Sequence, residues 1–482
     1  MRADRSQLVV GCMVVLVLFA VSVRAAGRLE LLQAVKNHDR ETVQRLLARG
    51  VDVNERAGDG ATALHWAALG GNVDIAERLI RAGAAVNAAD EHGVTPLALA
   101  CTDGSAAMVA TLLHASANAD AATSMGETAL MTCAATGSVE AVAALLGHGA
   151  KSINATEGSR GQTALMWAAA RRHPQVVRLL LEHGANVHAR SMVSYLHVPT
   201  NAYASNLFSR DTVDMPMGGF TPLLFAVRHG DIASARLLLD AGAKVNDAAA
   251  DEISPLVLAA HSGHTPMVAF LLDRGAEVNG ARVGYSALHA AVLRGDIDMI
   301  GTLLARGADP NARLTKGTRV PRDTNQWVLS SYLAGATPFL LAAKYAEPAI
   351  MRLLVAHGAD PLLPTNDGTT PLMMAAGMTW GWNMEDRRDR AVPAEVVHAM
   401  HENEARTLEV VQLALDLGGD VNAANAAGDT ALHAATFKGF ETVVKHLVNR
   451  GGDMGRKNNR GKAPELCYEQ SKVVRCVYEA GG

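Results

Sequence analysis

Apolar residues in this chain fall into two short patterns that alternate. The first is compact and Ala-rich, as in Leu64 to Leu69, and predicts a short helix that ends at a turn carrying Gly71. The second sets Ile75, Leu79 and Ile80 on one side, the spacing of an amphipathic helix, and Gly83 closes it in the left-handed region that glycine tolerates. A Thr or Ser stands before the first helix, where an N-cap is wanted, and Pro, where present, takes the first helical position. The exit Ala84-Ala85-Val86-Asn87 then leads into the next turn.

This pattern repeats. The capping residues are Thr62, Thr95, Thr128, Thr163, Thr221, Ser254, Ser286, Thr337, Thr370 and Thr430, at intervals of 33, 33, 35, 58, 33, 32, 51, 33 and 60 residues. A fixed period of this length marks a solenoid, in which no unit buries both faces alone and stacking supplies the core. The three long intervals are insertions. The expected fold is all-α, with 28–57 as an N-terminal capping repeat built on Leu31, Leu32, Val35, Val43, Leu46 and Leu47. Repeats at 58–190, 219–311, 336–378 and 406–460 alternate with insertions at 191–218, 312–335 and, inside a repeat, 379–405. Residues 461–482 form a shortened C-terminal cap, giving about 12 units including caps.

Thr-Ala-Leu-His-Trp-Ala-Ala at 62–68, Ser-Ala-Leu-His-Ala-Ala at 286–291 and Thr-Ala-Leu-His-Ala-Ala at 430–435 resemble the first-helix signature of the ankyrin repeat. Gly-Ala-Lys-Val-Asn at 242–246 and Gly-Ala-Glu-Val-Asn at 275–279 resemble its second-helix exit. The resemblance implies a helix-turn-helix solenoid with β-turn fingers, and protein–protein recognition as its role. It also implies that His65, His289 and His433 tie neighbouring turns by hydrogen bonding. Met131, Met166, Leu224, Val257, Leu340 and Met373 replace that histidine elsewhere, so those units are expected to manage without the tie. Asn54, Asn87, Asn154, Asn246, Asn279, Asn311 and Asn422 keep the exit asparagine, whereas Asp120, His188 and Leu362 depart from it.

Residues 1–25 differ from the rest. Arg2 and Arg5 precede an apolar run from Leu8 to Val23, and Ala25 stands at a small-residue cleavage position, the order of a secretory signal peptide. The alternative is an uncleaved anchor, although the run is short of the roughly 20 residues a spanning helix needs. Export is therefore expected, to the periplasm or beyond. The whole chain is close to charge balance, with 44 Lys+Arg against 48 Asp+Glu, so no general attraction to nucleic acid is expected. Membrane contact is expected only through an uncleaved signal segment, and a monomer is expected.

Chemistry is sparse. No Gly-rich phosphate loop, paired-cysteine zinc motif or nucleophile elbow is present, so no catalytic residue, cofactor or metal is expected. His398, His401 and Glu402 have metal-like helical spacing but sit among charged residues and read as a solvated helix face. Cys101 and Cys133 occupy Ala-type positions and are expected to be buried free thiols; Cys467 and Cys476 are a candidate disulfide in the C-terminal cap. The insertions hold seven of the 20 aromatics, Tyr195, Tyr203, Phe208, Trp327, Tyr332, Trp380 and Trp382. Tyr195, Tyr203, Trp327, Tyr332, Trp380 and Trp382 are the candidate partner-binding residues, with local packing against the solenoid as the other reading. Arg313, Lys316, Arg319 and Arg322 accompany the second insertion. The expected function is a non-enzymatic, exported scaffold that binds a protein through its concave face and finger insertions. The alternatives are a metal-dependent or enzymatic accessory near the second and third insertions, and a membrane-tethered spacer.

Overall fold

The capping residues fix where each helix begins. In the computed structural model, Thr95, Thr128, Thr221 and Thr337 accept the backbone N–H three residues on, at 3.2–3.3 Å. Proline stands at the helix start after Thr95, Thr221, Ser254, Thr337 and Thr370, where no amide partner is lost. The structure describes residues 30–199, 212–315, 333–378, 396–464, 467–470 and 473–476.

Two compact units contain these helices, Met1–Val193 with Gly218–Ala243, and Ser194–Met217 with Lys244–Gly482. In the first unit the pairs are α1 (30–36) and α2 (Arg40–Ala48), α3 (Ala63–Leu69) and α4 (Val73–Arg81), α5 (Pro96–Asp103) and α6 (Ala106–His114). They continue as α7 (Ala129–Thr136) and α8 (Val139–Gly147), α9 (Ala164–Ala170) and α10 (Pro174–Glu182), α11 (Pro222–Arg228) and α12 (Ile232–Asp240). The second unit holds α13 (Pro255–Ser262) and α14 (Thr265–Asp273), α15 (Ala287–Arg294) and α16 (Ile297–Ala305), α17 (Pro338–Lys344) and α18 (Pro348–Ala356). It ends with α19 (Pro371–Ala375) and α20 (Val396–Asp416), then α21 (Ala431–Lys438) and α22 (Glu441–Asn449).

Within each unit, first helices stack on first helices and second on second: α3 on α5 on α7 on α9 on α11, and α13 on α15 on α17 on α19 on α21. Small side chains allow this closeness. Ala67, Ala68, Ala100, Ala134, Ala168 and Ala169 are buried between first helices, and Ile75, Leu79, Leu112, Leu145 and Leu180 fill the space beneath the second. Gly137 shows how tight the inter-helix turns are. Its φ is +79°, and a Cβ there would lie 2.5 Å from the His173 ring, which itself reaches back to the Ala135 carbonyl at 3.0 Å.

This stacking corrects the expectation for two cysteines. Cys101 on α5 and Cys133 on α7 are joined by a disulfide and are not free thiols. They are 32 residues apart, one short of the period, so they sit one position out of step on adjacent first helices. The Ala-rich contact brings their Cα atoms to 4.6 Å, within disulfide reach. Both are fully buried.

Between helix pairs the chain makes β-turn fingers, most of them hydrogen-bonded to the one before. In the first unit Glu91 N donates to Asp59 O, Ser124 N to His92 O, Gly158 N to Met125 O and Met192 N to Arg160 O, at 2.6–3.2 Å. In the second, Thr315 N meets Gly284 O, Asn366 N meets Ala334 O, Ala426 N meets Asp367 O and Asn459 N meets Ala427 O, at 2.8–3.0 Å. The first insertion grows out of such a finger. Ser191 N donates to Phe220 O and Phe220 N to Ser191 Oγ, both at 3.0 Å, and above this neck β1 (Val193–Pro199) pairs with β2 (Thr212–Gly218). The second insertion has a similar neck: Leu314 N meets Ala336 O at 2.9 Å, and Gly335 N meets Leu314 O at 2.7 Å.

The third interruption leads into α20, which is 21 residues long where the other second helices have nine. At the C-terminal end the chain turns from helices to an antiparallel hairpin, β3 (Cys467–Gln470) with β4 (Val473–Cys476). Two runs of four residues are too short to repeat the helix pair, and β-branched Val473 and Val474 suit a strand.

Candidate functional site: the open face of the first helices

A surface that recognises a partner needs large side chains that the fold does not need for itself. In the first unit the position four residues after the cap supplies them in four of five repeats, Thr132 standing there after Thr128. Trp66, Leu99, Trp167 and Phe225 all stand there, half-buried, while their neighbours Ala67, Ala100, Ala168 and Ala226 are sealed in the core. Three positions further on, Leu69 is exposed at 38% and Thr102 is also exposed. Lys36 lies over the Trp66 ring at 3.7 Å, a cation–π contact, and the rings of Phe220 and Phe225 meet at 5.5 Å. Neither the Trp66 nor the Trp167 indole N–H has a hydrogen-bond acceptor.

These residues were not singled out from sequence, because the aromatic tally drew attention to the insertions. The signal was available in the periodicity, as a large apolar residue at a fixed offset from the cap. In the second unit the corresponding positions are also apolar but closed. Leu258, Leu341 and Met374 are buried there, and so are the nearby Leu293, Tyr345 and Met378.

The insertion residues divide sharply. Tyr195 lies on β1 and is 63% exposed, beside Met192, Val193, Leu196 and Met217, all exposed as well. His197 pairs with Asp214 across that hairpin. Tyr203, Phe208, Trp327, Tyr332, Trp380 and Trp382 lie outside the described residues, as do Lys316, Arg319 and Arg322. Arg313 is described, and its guanidinium is engaged by the carbonyls of Gly335 and Pro364 at 3.4 and 3.1 Å. His398, His401 and Glu402 fall on α20, but their side chains lie outside the described set. The strand register sets Cys467 opposite Cys476.

The motif histidines tie neighbouring repeats together. His65 Nδ1 accepts the Thr62 N–H at 3.0 Å, and its Nε2–H donates to Val94 O in the next finger at 3.1 Å. His289 takes the Ser286 N–H at 3.3 Å and reaches Ala336 O at 3.3 Å, across the second insertion. His433 takes the Thr430 N–H at 3.1 Å and reaches Lys462 O at 3.1 Å. Burial holds His65 below the ordinary imidazole range and pushes His289 down to about 4, against the opposing pull of its carbonyl acceptors. Where methionine replaces histidine the cap is not always lost, since Met373 Sδ lies 3.5 Å from the Thr370 N–H.

The exit asparagines make a second set of ties. Asn54 donates to Gly83 O at 2.9 Å and accepts from Ala85 N at 2.6 Å. Asn311 does the same with Gly358 and Asp360, at 3.0 and 2.7 Å, so the repeat register continues past an insertion of variable length. Asp120, the departure in the third unit, keeps the acceptor half and takes the amides of Lys151 and Ser152 at 2.8 Å.

Among the described residues no group of three or more His, Cys, Asp or Glu is arranged to hold a metal. No helix among them is long and apolar enough to cross a membrane. An open depression of about 620 Å³ between α2 and α4 is lined by His38, Arg40, Asn72, Asp74 and Glu77, and Arg40 and Asp74 already face each other at 3.4 Å. The fold and this surface define a class of protein, a stacked-repeat binding scaffold.

The family models agree. Ankyrin repeats in three copies match residues 31–123, 114–191 and 223–313, and a single ankyrin repeat matches 334–366 and 427–459. The chain belongs to the ankyrin-repeat family, whose members are typically non-enzymatic. Between these matches lie 192–222, 314–333 and 367–426, stretches that overlap the three expected insertions. The chain is similar to the mouse B-cell lymphoma 3 protein homolog, 34% identical over 39% of this chain and 40% of that protein. It is also similar to mask-1 of Caenorhabditis elegans, an ankyrin repeat and KH domain-containing protein, at 28% over 35% of this chain and 5% of that one. A third relative is the palmitoyltransferase AKR1 of Lachancea kluyveri, at 33% over 26% of this chain and 19% of the enzyme. The chain thus spans well under two thirds of each of these relatives. Among solved structures, the human ASB11 ankyrin repeat domain is 29% identical, covers 51% of this chain and 96% of its own, and gives a TM-score of 0.41.

Proposed function

We propose that this protein is an exported scaffold that captures another protein through the open first-helix face of its first unit and its finger insertions. One observation carries the reading. Trp66, Leu99, Trp167 and Phe225 recur at one register position and stay half-buried, while the alanine that follows each of them is sealed in the core. Large rigid side chains on a preformed surface bury much area at little cost in rotamer entropy. The exposed apolar residues around Tyr195 on the hairpin are a separate candidate contact. Export is supported by the signal-like segment at 1–25 and by the Cys101–Cys133 bond, since disulfides persist in oxidising compartments.

The test has two parts. Capture from the native envelope fraction, with partners identified by mass spectrometry, should succeed with the natural chain and fail with Trp66→Ala/Trp167→Ala. Fractionation with N-terminal sequencing should return a mature protein that starts at Ala26. Unchanged capture by the double variant would remove the first-helix face from the mechanism, and an intact Met1 would remove cleavage.

A further inference from the structure

The second helices of three successive repeats in the first unit end in histidine. His114 is the last residue of α6, and His148 and His183 follow α8 and α10. Each Nδ1 lies 2.8–2.9 Å from the carbonyl oxygen four residues earlier, those of Ala110, Ala144 and Leu179. A carbonyl oxygen can only accept, so Nδ1 carries a proton, and in the neutral ring Nε2 is the nitrogen with a free lone pair. All three rings stand in solvent. His357, after α18, makes the same bond to Leu353 O at 2.9 Å, so capping a helix end is what this bond does by itself.

His114 and His148 have a second relationship. Their ring centroids are 5.3 Å apart with the planes nearly perpendicular, at 89°. An imidazole nitrogen bound to zinc at 2.0–2.1 Å sets its ring centre about 3.2 Å from the ion, and two such rings at a tetrahedral angle lie roughly 5.2 Å apart. The observed spacing fits one shared ion. The supporting shell is also in place, because a ligating histidine usually donates its other N–H to a carbonyl or carboxylate, which fixes tautomer and ring orientation. We propose that His114 and His148 form a two-histidine site for a divalent transition ion of imidazole preference, zinc or copper. Its remaining coordination positions are open to water or to side chains of a bound protein.

The experiment uses the full-length protein, stripped with chelator and titrated with zinc chloride by calorimetry at pH 7.5. Variants with His398→Ala/His401→Ala serve as background, so that the histidines of α20 do not contribute. One ion per chain is expected. His114→Ala and His148→Ala should each weaken binding at least tenfold, while His183→Ala, which loses the same helix-end bond, stays within twofold. Thermal melts of the three variants should match one another, separating ligand loss from capping loss. No saturable binding, unaltered binding in His148→Ala, or an equal loss in His183→Ala would each overturn the proposal.

Discussion

The first-helix faces of the two units are built on one plan and finished differently. Four residues after the cap the first unit presents Trp66, Leu99, Trp167 and Phe225 half-buried, whereas the second has Leu258, Leu341 and Met374 closed over. Their inter-repeat ties differ too. Both have hydrogen-bonded ties, such as those of His65 in the first and of His289 and Asn311 in the second, and among the described residues the first adds a covalent link between α5 and α7. The same repeat position can therefore serve recognition or cohesion, and its burial tells which. A large apolar side chain left half-open in a well-packed array is available to a partner; one that is sealed belongs to the fold.

The largest expected effect breaks the covalent half of this contrast. Closing a loop of this length removes denatured-chain entropy worth about 3–4 kcal/mol. Cys101→Ala/Cys133→Ala, or reduction under mild denaturant, should lower the stability of the first unit by that order. Hydrogen exchange read by mass spectrometry should show faster exchange in α5 and α7 and little change in α15 or α17. Equal protection with and without the bond would mean that stacking alone holds these helices.

Next comes the sealed face. Leu341 is fully buried, and truncating such a side chain costs about 2–5 kcal/mol. Leu341→Ala should therefore lower the melting temperature clearly and leave partner capture by the first unit intact once the protein is folded. Trp167→Ala should do the reverse, weakening capture by about 2 kcal/mol, near thirtyfold, with a smaller change in melting temperature. If both variants lose stability and capture in equal measure, the distinction between the two faces fails.

How much of this was legible in the sequence follows from what a repeat reveals. The cap-to-cap period located the helix pairs and the turns between them, because each depends on local signals repeated many times. The Cys101–Cys133 bond was missed because cysteine at an Ala position reads as a small core residue. Only the one-position offset between adjacent first helices shows that the two thiols meet. Trp66 and Trp167 were hidden by averaging, since they are few among 20 aromatics and share a register position instead of a segment. Asp120 was read as a departure, yet it keeps the acceptor that the turn needs. What the sequence could not carry was burial, which depends on what packs over a position as much as on the residue that occupies it.

The smallest effect concerns the hydrogen-bonded ties and sharpens the contrast at mildly acid pH. His289 works only when neutral, because Nδ1 must accept the Ser286 N–H while Nε2–H donates to Ala336 O. Its folded-state value is pushed down to about 4 by burial, below the ordinary 6.5, so the folded state disfavours protonation. The stabilisation is then complete above pH 6.5 and is lost as the pH falls through the interval down to about 4. By linkage, about 1 kcal/mol should be gone at pH 5.5. His65 is shifted in the same direction by burial, with Asp90 and Asp59 favouring its charged form, so the first unit should soften in the same sense. His289→Gln keeps a side-chain acceptor for the cap but has nothing to titrate. Denaturant midpoints at pH 7.5 and 5.5 should therefore diverge more for the natural chain than for that variant, which keeps only the acid sensitivity of histidines such as His65. Equal pH dependence in both would place the acid sensitivity elsewhere.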